Sequence, residues 1–300
     1  MWSRVETFTP FILALAMGCG PEIPSDTTQT DTTDPGDAVR ETPEGRRAEL
    51  LSAFFGLDDA IPAEVNGRLC QDRSDTDGMP LIFSDEVDLE TLQAGDVRIT
   101  TESGAVKTPE CVTFAPALDT GEIRTALLLG DLGAHPNDPP VRLEVVGHVL
   151  SRDGVLDFKG AQVDVIPLPD GPTLILGEVV PMDEWDLGAE AQQTGGTGCP
   201  EGTTQVVRAV WTGGITRPGG DELEAEDVAR YEVTLEDADG TPSTVAPFAL
   251  GDLDDGDNNH ELCLNVEGTP TTIAFPAGFV TDPNEDLNPA TEIEVAPVSQ

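Results

Sequence analysis

The sequence predicts an all-β fold made of two tandem β-sandwiches. Its 31 glycines and 25 prolines interrupt every short apolar run, and long helical patterns are scarce. Residues 141–168 and 271–298 share one pattern: an apolar run ends in Gly147 or Gly278, an acidic turn follows, and a strand with alternating apolar residues closes the stretch. A repeat with such a long period indicates two copies of one small β domain.

The composition limits the classes of partner. Lys and Arg number 15 against 57 Asp and Glu, a net charge of −42 over 300 residues. So acidic a surface repels phosphate backbones, which argues against nucleic acid as a partner and against charge-driven binding to an anionic membrane. Two interpretations of the acidity stay open: it keeps an exposed protein soluble, or it attracts cations.

The first 18 residues have the features of a secretory signal peptide. Their apolar core, PFILALAMG, has about ten residues, whereas a membrane span needs about 20. The following tetrapeptide, Ala16-Met17-Gly18-Cys19, resembles the lipobox of bacterial lipoproteins, in which the signal is removed before the cysteine. The resemblance implies that Cys19 is lipidated and that the protein is anchored at the outer membrane or cell surface. The alternative is an ordinary cleaved signal with an incidental cysteine.

Residues 19–46 are predicted to form a disordered acidic tether. Within residues 20–46 there are six threonines, four prolines and seven acidic residues. Such a segment has almost nothing to bury and cannot offset the entropy lost on ordering. It therefore acts as a flexible spacer that lifts a domain away from the membrane.

The first sandwich is assigned to residues 47–170 and begins with a predicted short helix at 47–59. Apolar residues recur there at helical spacing: Leu50, Leu51, Phe54 and Leu57. The strands predicted to follow are 80–83, 97–101, 111–114 and 124–129.

The second sandwich is assigned to residues 171–300. Its predicted strands are 174–180, 206–211, 230–235, 246–250, 261–266 and 271–275. The connection around Asp170-Gly171-Pro172 is short, so the two sandwiches are expected to pack end to end with limited freedom.

One stretch carries a family resemblance. The run FSDEVDLETLQAGDVRIT, residues 83–100, resembles the opening of the bacterial Ig-like domains of surface-layer and other secreted proteins. Those domains end in a glycine, an Asp-containing turn and a final strand, as residues 278–295 do. The resemblance covers residues 82–168 and, more loosely, 206–298. It implies two Ig-like sandwiches in a non-enzymatic surface, scaffold or adhesion-type module that binds a protein or glycan partner.

Four cysteines besides Cys19 predict two disulfides. An even number in an exported chain implies pairing, and two of the four fall in each proposed sandwich. Within each sandwich the pair would join a segment ahead of the strands to a middle strand. The predicted bridges are Cys70–Cys111 and Cys199–Cys263. A metal site is disfavoured because no C-x-x-C motif or histidine pair accompanies them.

Two acidic segments are candidates for calcium, the one cofactor that the sequence suggests. They read GDLDDGDNNH (residues 251–260) and TDPNEDLN (residues 281–288). Calcium takes six to eight oxygen ligands, and alternating Asp and Asn can direct several side chains inward. The candidate ligands are Asp252, Asp254, Asp255, Asp257, Asp282, Asn284 and Asp286. The alternative is that tight turns simply require Asp, Asn and Gly.

The sequence contains no motif for catalysis. None of His135, His148 and His260 forms H-x-x-H or H-E-x-x-H, and no G-x-S-x-G appears. A non-enzymatic role is therefore favoured. The alternative is a secreted hydrolase or carbohydrate-binding protein with a calcium-assisted site near residues 252–260, which would need a concave cleft beside His260.

Overall fold

Sixteen strands, numbered in chain order, form two eight-stranded sheets, so the all-β prediction is confirmed. The computed structural model describes residues 38–43, 45–61, 70, 76–185, 198–224, 226–251, 253 and 256–296. Both sheets belong to one compact unit of the chain. Within these ranges the helical segments are three 3₁₀ turns, and no helix is long and apolar enough to cross a membrane. The 3₁₀ turns lie at Ala94–Asp96, Met182–Glu184 and Val228–Arg230.

The first sheet lies between residues 50 and 166. Its strands are β1 (Leu50–Phe54), β2 (Asp77–Phe83), β3 (Val97–Thr101), β4 (Val106–Lys107), β5 (Cys111–Thr113), β6 (Thr125–Gly130), β7 (Pro140–Val145) and β8 (Gln162–Ile166). The second sheet lies between residues 174 and 296. Its strands are β9 (Leu174–Val180), β10 (Gln205–Trp211), β11 (Glu232–Glu236), β12 (Pro242–Val245), β13 (Ala249–Gly251), β14 (Asn259–Leu264), β15 (Thr269–Phe275) and β16 (Thr291–Ala296).

The two sheets have the same strand order. It is β4-β3-β7-β8-β1-β2-β6-β5 in the first and β12-β11-β15-β16-β9-β10-β14-β13 in the second. Each strand of the second sheet therefore occupies the place of the strand eight positions earlier. The stretches that share a sequence pattern contain the equivalent pairs β7–β8 and β15–β16, with Leu143 opposite Val163 and Ile273 opposite Ile293. The predicted duplication is thus present in the strand topology.

Each sheet folds over so that its two four-stranded halves enclose one hydrophobic core. The halves meet at a short parallel contact, between β1 and β8 in the first sheet and between β9 and β16 in the second. In the first core, Leu81 and Leu128 of one half pack in the same cluster as Ile99 and Leu143 of the other half. The second core is built in the same way around Trp211. Burial of this apolar surface is the main source of stability.

The helix predicted at residues 47–59 is wrong, because strand β1 occupies Leu50–Phe54. This strand is central, with β2 paired on one side and β8 on the other. All four residues from Ser52 to Phe55 are buried, so both faces of β1 are covered. A short apolar run without alternation fits a helix as well as a strand, and here strand pairing on both sides decides between them.

The predicted tether, residues 19–46, was given a C-terminal boundary that lies too late in the sequence. Val39 forms a parallel β-bridge with Leu156, and the Arg46 guanidinium makes an ion pair with Asp85 at 2.7 Å. The described residues from 38 onward are therefore packed on the first sheet. The earlier part of the tether lies outside the described residues.

Both predicted disulfides are present. Cys70 is bonded to Cys111 with a Cα–Cα distance of 6.4 Å, and Cys199 to Cys263 with 5.7 Å. Each bridge lies in a small apolar cluster separate from the main core, on the other face of its half-sheet. The bridge thus fastens the segment that precedes the second strand of each sheet onto the outside of the sandwich.

The two bridges differ in the strand that carries the second cysteine. In the first sheet Cys111 of β5 lies opposite Leu129 of β6. In the second sheet the equivalent strands place Ala249 of β13 opposite Cys263 of β14. The cysteine therefore stands on opposite members of the same cross-strand pair in the two copies.

Candidate functional site

A buried row of charges crosses three strands of the second sheet. Arg208 of β10 lies directly opposite Glu178 of β9 and Glu261 of β14. Its Nη1 is 2.9 Å from Oε1 of Glu178, and its Nη2 is 3.5 Å from Oε1 of Glu261. The neighbours Val207 and Ala209 point into the core, so Arg208 points to the other face. The Arg208 side chain is nevertheless only 3% exposed.

Residues of the first sheet cover this row. Arg124, just ahead of β6, donates through Nη2 to both carboxylate oxygens of Glu178, at 3.0 Å each. In the other direction, Nη2 of Arg208 donates to the backbone carbonyl of Thr120 at 3.0 Å. One carboxylate is therefore shared by two arginines, one from each sheet. We name this set of residues the charged junction: Arg124, Glu178, Arg208 and Glu261.

Two glycines let the sheets approach each other closely at this point. Gly121 has a φ of +89°, and a Cβ there would lie 2.0 Å from Nη1 of Arg208. At Gly213 a Cβ would lie 2.9 Å from the ring of Phe54, which is fully buried. The contact between the sheets is therefore partly ionic and partly apolar, and a side chain at Gly121 would push the Arg208 guanidinium away.

Arg208 keeps its charge in this buried setting. Burial disfavours the charged form, but the carboxylates of Glu178, Glu261 and Glu122 raise the pKa of Arg208 above its usual range. Glu122 is itself only 2% exposed. Charge-assisted hydrogen bonds to a planar guanidinium fix orientation as well as distance, so the junction sets how the two sheets sit on each other.

The charged junction was not predicted from the sequence, although a signal for it is present. Glu178, Arg208 and Glu261 each stand within an otherwise largely apolar strand, in LILGEVV, QVVRAVW and NHELCL. Charged residues are rarely fully buried unless they are paired. Charges of opposite sign inside three such strands therefore indicate partners across the sheet.

A second buried polar group lies in the core of the second sheet. The indole Nε1 of Trp211 donates to the hydroxyl of Tyr231 at 2.8 Å, and that hydroxyl is 2.7 Å from Nδ1 of His260. All three side chains are buried, and the ring of Phe275 packs against both Trp211 and Tyr231. Trp211 and Tyr231 thus serve core packing, with their polar atoms satisfied by each other.

We expect Tyr231→Phe to lower the free energy of unfolding by about 1–3 kcal/mol. The substitution keeps the ring but removes the acceptor of the Trp211 indole N–H and the partner of His260 Nδ1 inside the core. Urea unfolding followed by tryptophan fluorescence measures the change. Thr244→Val, which removes an exposed hydroxyl on strand β12, should change the stability by less than about 0.5 kcal/mol. Equal effects of the two substitutions would contradict the role of the buried hydroxyl.

His260 does not line a cleft of the kind that the hydrolase alternative requires. It is 3% exposed and lies on strand β14, in hydrogen-bond contact with Tyr231. A substrate could reach its imidazole only if the core opened. Of the other histidines, His148 is half-exposed and its Nδ1 lies 2.7 Å from Asp157 on the surface of the first sheet.

The first acidic segment is described only in part. Asp252, Asp254 and Asp255 lie outside the described residues. Asp257 is buried, and both of its oxygens accept hydrogen bonds from Asn259, from the backbone N–H at 2.7 Å and from Nδ2 at 2.9 Å. Asp257 therefore caps the start of strand β14.

The second acidic segment forms the turn between β15 and β16. Asp282 is buried there, whereas Asn284 is exposed and Asp286 half-buried. Burial raises the pKa of Asp282 to about 6, and the backbone amide of Asp286 opposes the shift. Across the described part of the chain, no three side chains of His, Cys, Asp or Glu converge in a way that could hold a metal ion. The described residues therefore do not assemble a calcium site shared by both segments.

A shallow open depression of about 600 Å³ lies beside this turn. The guanidinium of Arg230 sits 3.6 Å above the ring centroid of Phe279, and both residues line the depression. Glu232 and Glu292 add negative charge to its rim. Its lining is therefore mixed, with Ala274 and Pro276 beside these charged residues.

No protein-family model and no curated protein matches this sequence. The predicted lipidation site, Cys19, lies outside the described residues together with the signal peptide. The proposals for function and cellular location therefore rest on the residues of this chain alone.

Proposed function

We propose that this chain is a lipid-anchored, extracytoplasmic bacterial protein whose two Ig-like sandwiches form a rigid, non-enzymatic scaffold or adhesion-type module. The observation that carries the proposal is the charged junction. It fixes two copies of one β unit, each with its own internal disulfide, against each other through a partly buried carboxylate shared by two arginines. Such a contact suits a protein that holds a binding surface at a set distance and orientation.

The strand order supports the Ig-like assignment. In Ig domains, strands A, B, E and D form one sheet and strands C, F and G the other. If β1 to β8 are lettered A, B, C, C′, D, E, F and G, the halves of the first sheet read ABED and C′CFG. The second sheet reads the same with β9 to β16. A common fold does not determine function, so the scaffold role depends on the junction and on the placement of the protein.

Two features support an extracytoplasmic location. Disulfides persist in oxidising compartments and are rare in the cytosol of most bacteria, and this chain has two. The sequence up to Cys19 resembles a lipoprotein signal, and the acidic surface suits a domain held in water beside a membrane rather than on it. The partner under this proposal is a protein or a glycan.

We expect Cys19→Ser to release the protein from membranes. With its native leader, the wild-type protein expressed in a bacterium should fractionate with membranes and partition into the detergent phase of a cloud-point extraction. The serine variant lacks the thiol that would carry the lipid and should partition into the aqueous phase. Mass spectrometry of this variant should show no added acyl mass. Ser25→Ala, six residues further on, should behave as wild type.

Two outcomes would contradict the anchor. The first is wild-type protein in the aqueous phase with an unmodified N-terminus. The second is a Cys19→Ser variant that remains in the detergent phase to the same extent as wild type.

A further inference from the structure

The turn between β15 and β16 is built around the carboxylate of Asp282. Oδ1 of Asp282 accepts hydrogen bonds from the backbone N–H of Asn284 at 3.1 Å and of Asp286 at 2.8 Å. Because both donors belong to the turn, the carboxylate lies inside it. The turn is anchored to a neighbouring segment, where Thr281 pairs with Thr216. Its shape is therefore fixed in advance of any ligand.

The second oxygen of this carboxylate is buried without a partner. Asp282 is 1% exposed, and among the described residues no hydrogen-bond donor lies within reach of its Oδ2. The carboxylate of Asp286, four residues further along the turn, adds a second negative charge nearby. Buried polar atoms in proteins are normally hydrogen-bonded or bound to a metal ion, so this oxygen is the one buried side-chain atom of the turn that lacks its expected partner among the described residues.

We propose that this turn binds a divalent cation, calcium, through Oδ2 of Asp282, the carboxylate of Asp286 and the side-chain oxygen of Asn284. The three residues alternate along the chain, and Nδ2 of Asn284 already lies 2.7 Å from Oδ2 of Asp286. A flip of the Asn284 amide exchanges its N and O and turns the oxygen toward the Asp286 carboxylate. Backbone carbonyls and water complete the shell of six to eight oxygens that calcium takes.

Two carboxylates predict weak and selective binding. Calcium sites in extracellular modules have dissociation constants of about 10⁻⁴–10⁻³ M, and a site with few charges belongs in that range. Magnesium demands near-ideal octahedral geometry and gives up its water reluctantly, so an irregular turn with two carboxylates favours calcium. The proposal differs from the sequence expectation in that one turn suffices and the segment around Asp257 takes no part.

The chain contains a matched control turn of the same geometry. In the hairpin between β11 and β12, Oδ1 of Asp237 accepts the backbone N–H groups of Asp239 and Thr241, each at 2.9 Å. The fourth residue has positive φ in both turns, Gly240 in one and Glu285 in the other. Asp237, however, is exposed to solvent, so water satisfies its second oxygen.

The test is thermal unfolding of the purified full-length protein after chelation, with about 10 mM CaCl2, with MgCl2, or with NaCl at matched ionic strength. We expect calcium to raise the Tm of the wild-type protein by about 3–6 °C beyond the NaCl sample, and magnesium to raise it less. Asp237→Asn should keep this response. Asp282→Asn keeps the acceptor for both backbone N–H groups but removes the charge. This variant and Asp286→Asn should both lose the Tm response to calcium.

Three outcomes would overturn the proposal. The first is a wild-type Tm that calcium leaves at the NaCl value. The second is an equal calcium response in all the variants, which would indicate general screening of the acidic surface. The third outcome uses the wild-type protein alone, so it applies even if a variant fails to fold. It is the absence of saturable calcium binding, in the millimolar range or below, in isothermal titration calorimetry.

Discussion

Arg208→Ala is expected to lower the free energy of unfolding by about 3–5 kcal/mol. The substitution removes one partner of a buried set and leaves Glu178 and Glu261 facing each other across strand β10 without the guanidinium between them. The loss of its bond to Thr120 also opens the contact between the sheets. We therefore expect the wild-type protein to unfold in a single transition and the Arg208→Ala variant to unfold in two.

Urea and thermal unfolding followed by circular dichroism measure both effects. The matched control is Arg142→Ala on β7, because Arg142 also lies opposite an acid, Asp164 on β8, but both side chains of that pair are exposed. Exposed pairs contribute about 0–1 kcal/mol, so this variant should remain close to wild type. If both substitutions cost the same, or if Arg208→Ala unfolds in one transition at wild-type stability, the charged junction does not hold the sheets together.

Removal of the second disulfide should cost about 4 kcal/mol. The bridge Cys199–Cys263 closes a loop with a sequence separation of 64, and restriction of the unfolded chain by a loop of this length is worth about that amount. The double substitution Cys199→Ala/Cys263→Ala tests it by urea unfolding. The equivalent change at Cys70 and Cys111, with a separation of 41, should cost about 0.4 kcal/mol less.

Reductant provides the control for this pair of variants. Dithiothreitol should lower the stability of the wild-type protein to that of a variant that lacks both bridges, and should leave that variant unchanged. A variant without Cys199 and Cys263 that unfolds at the wild-type urea concentration would show that the bridge does not restrict the unfolded chain.

Much of the fold could be predicted from local pattern. In strand β3, Val97 and Ile99 are buried while Arg98 between them is exposed, and this alternation is visible in the sequence. The duplication was visible because two stretches keep the same order of apolar run, glycine, acidic turn and strand. The disulfides followed from that duplication, since each copy contains two cysteines.

What could not be predicted depends on contacts between distant parts of the chain. Strand β1 is buried on both faces, which removes the alternation that distinguishes a strand from a helix. The bond between Arg124 and Glu178 joins residues 54 positions apart in two different sheets. The partner of a buried charge is set by strand register and by how the sheets pack, and neither is encoded in the local spacing of residues. The buried oxygen of Asp282 is likewise a property of packing, because Asp237 has the same turn and is exposed.

The position of the cysteines in the two copies affects any exchange of segments between them. A hybrid that took β5 from the first copy and β14 from the second would carry Cys111 and Cys263 as neighbours on adjacent strands, competing for a single thiol ahead of β2. The reciprocal hybrid, with Ala249 and Leu129, would leave that thiol unpaired. Exchange of one of these strands between the copies would therefore disrupt the disulfide in both directions.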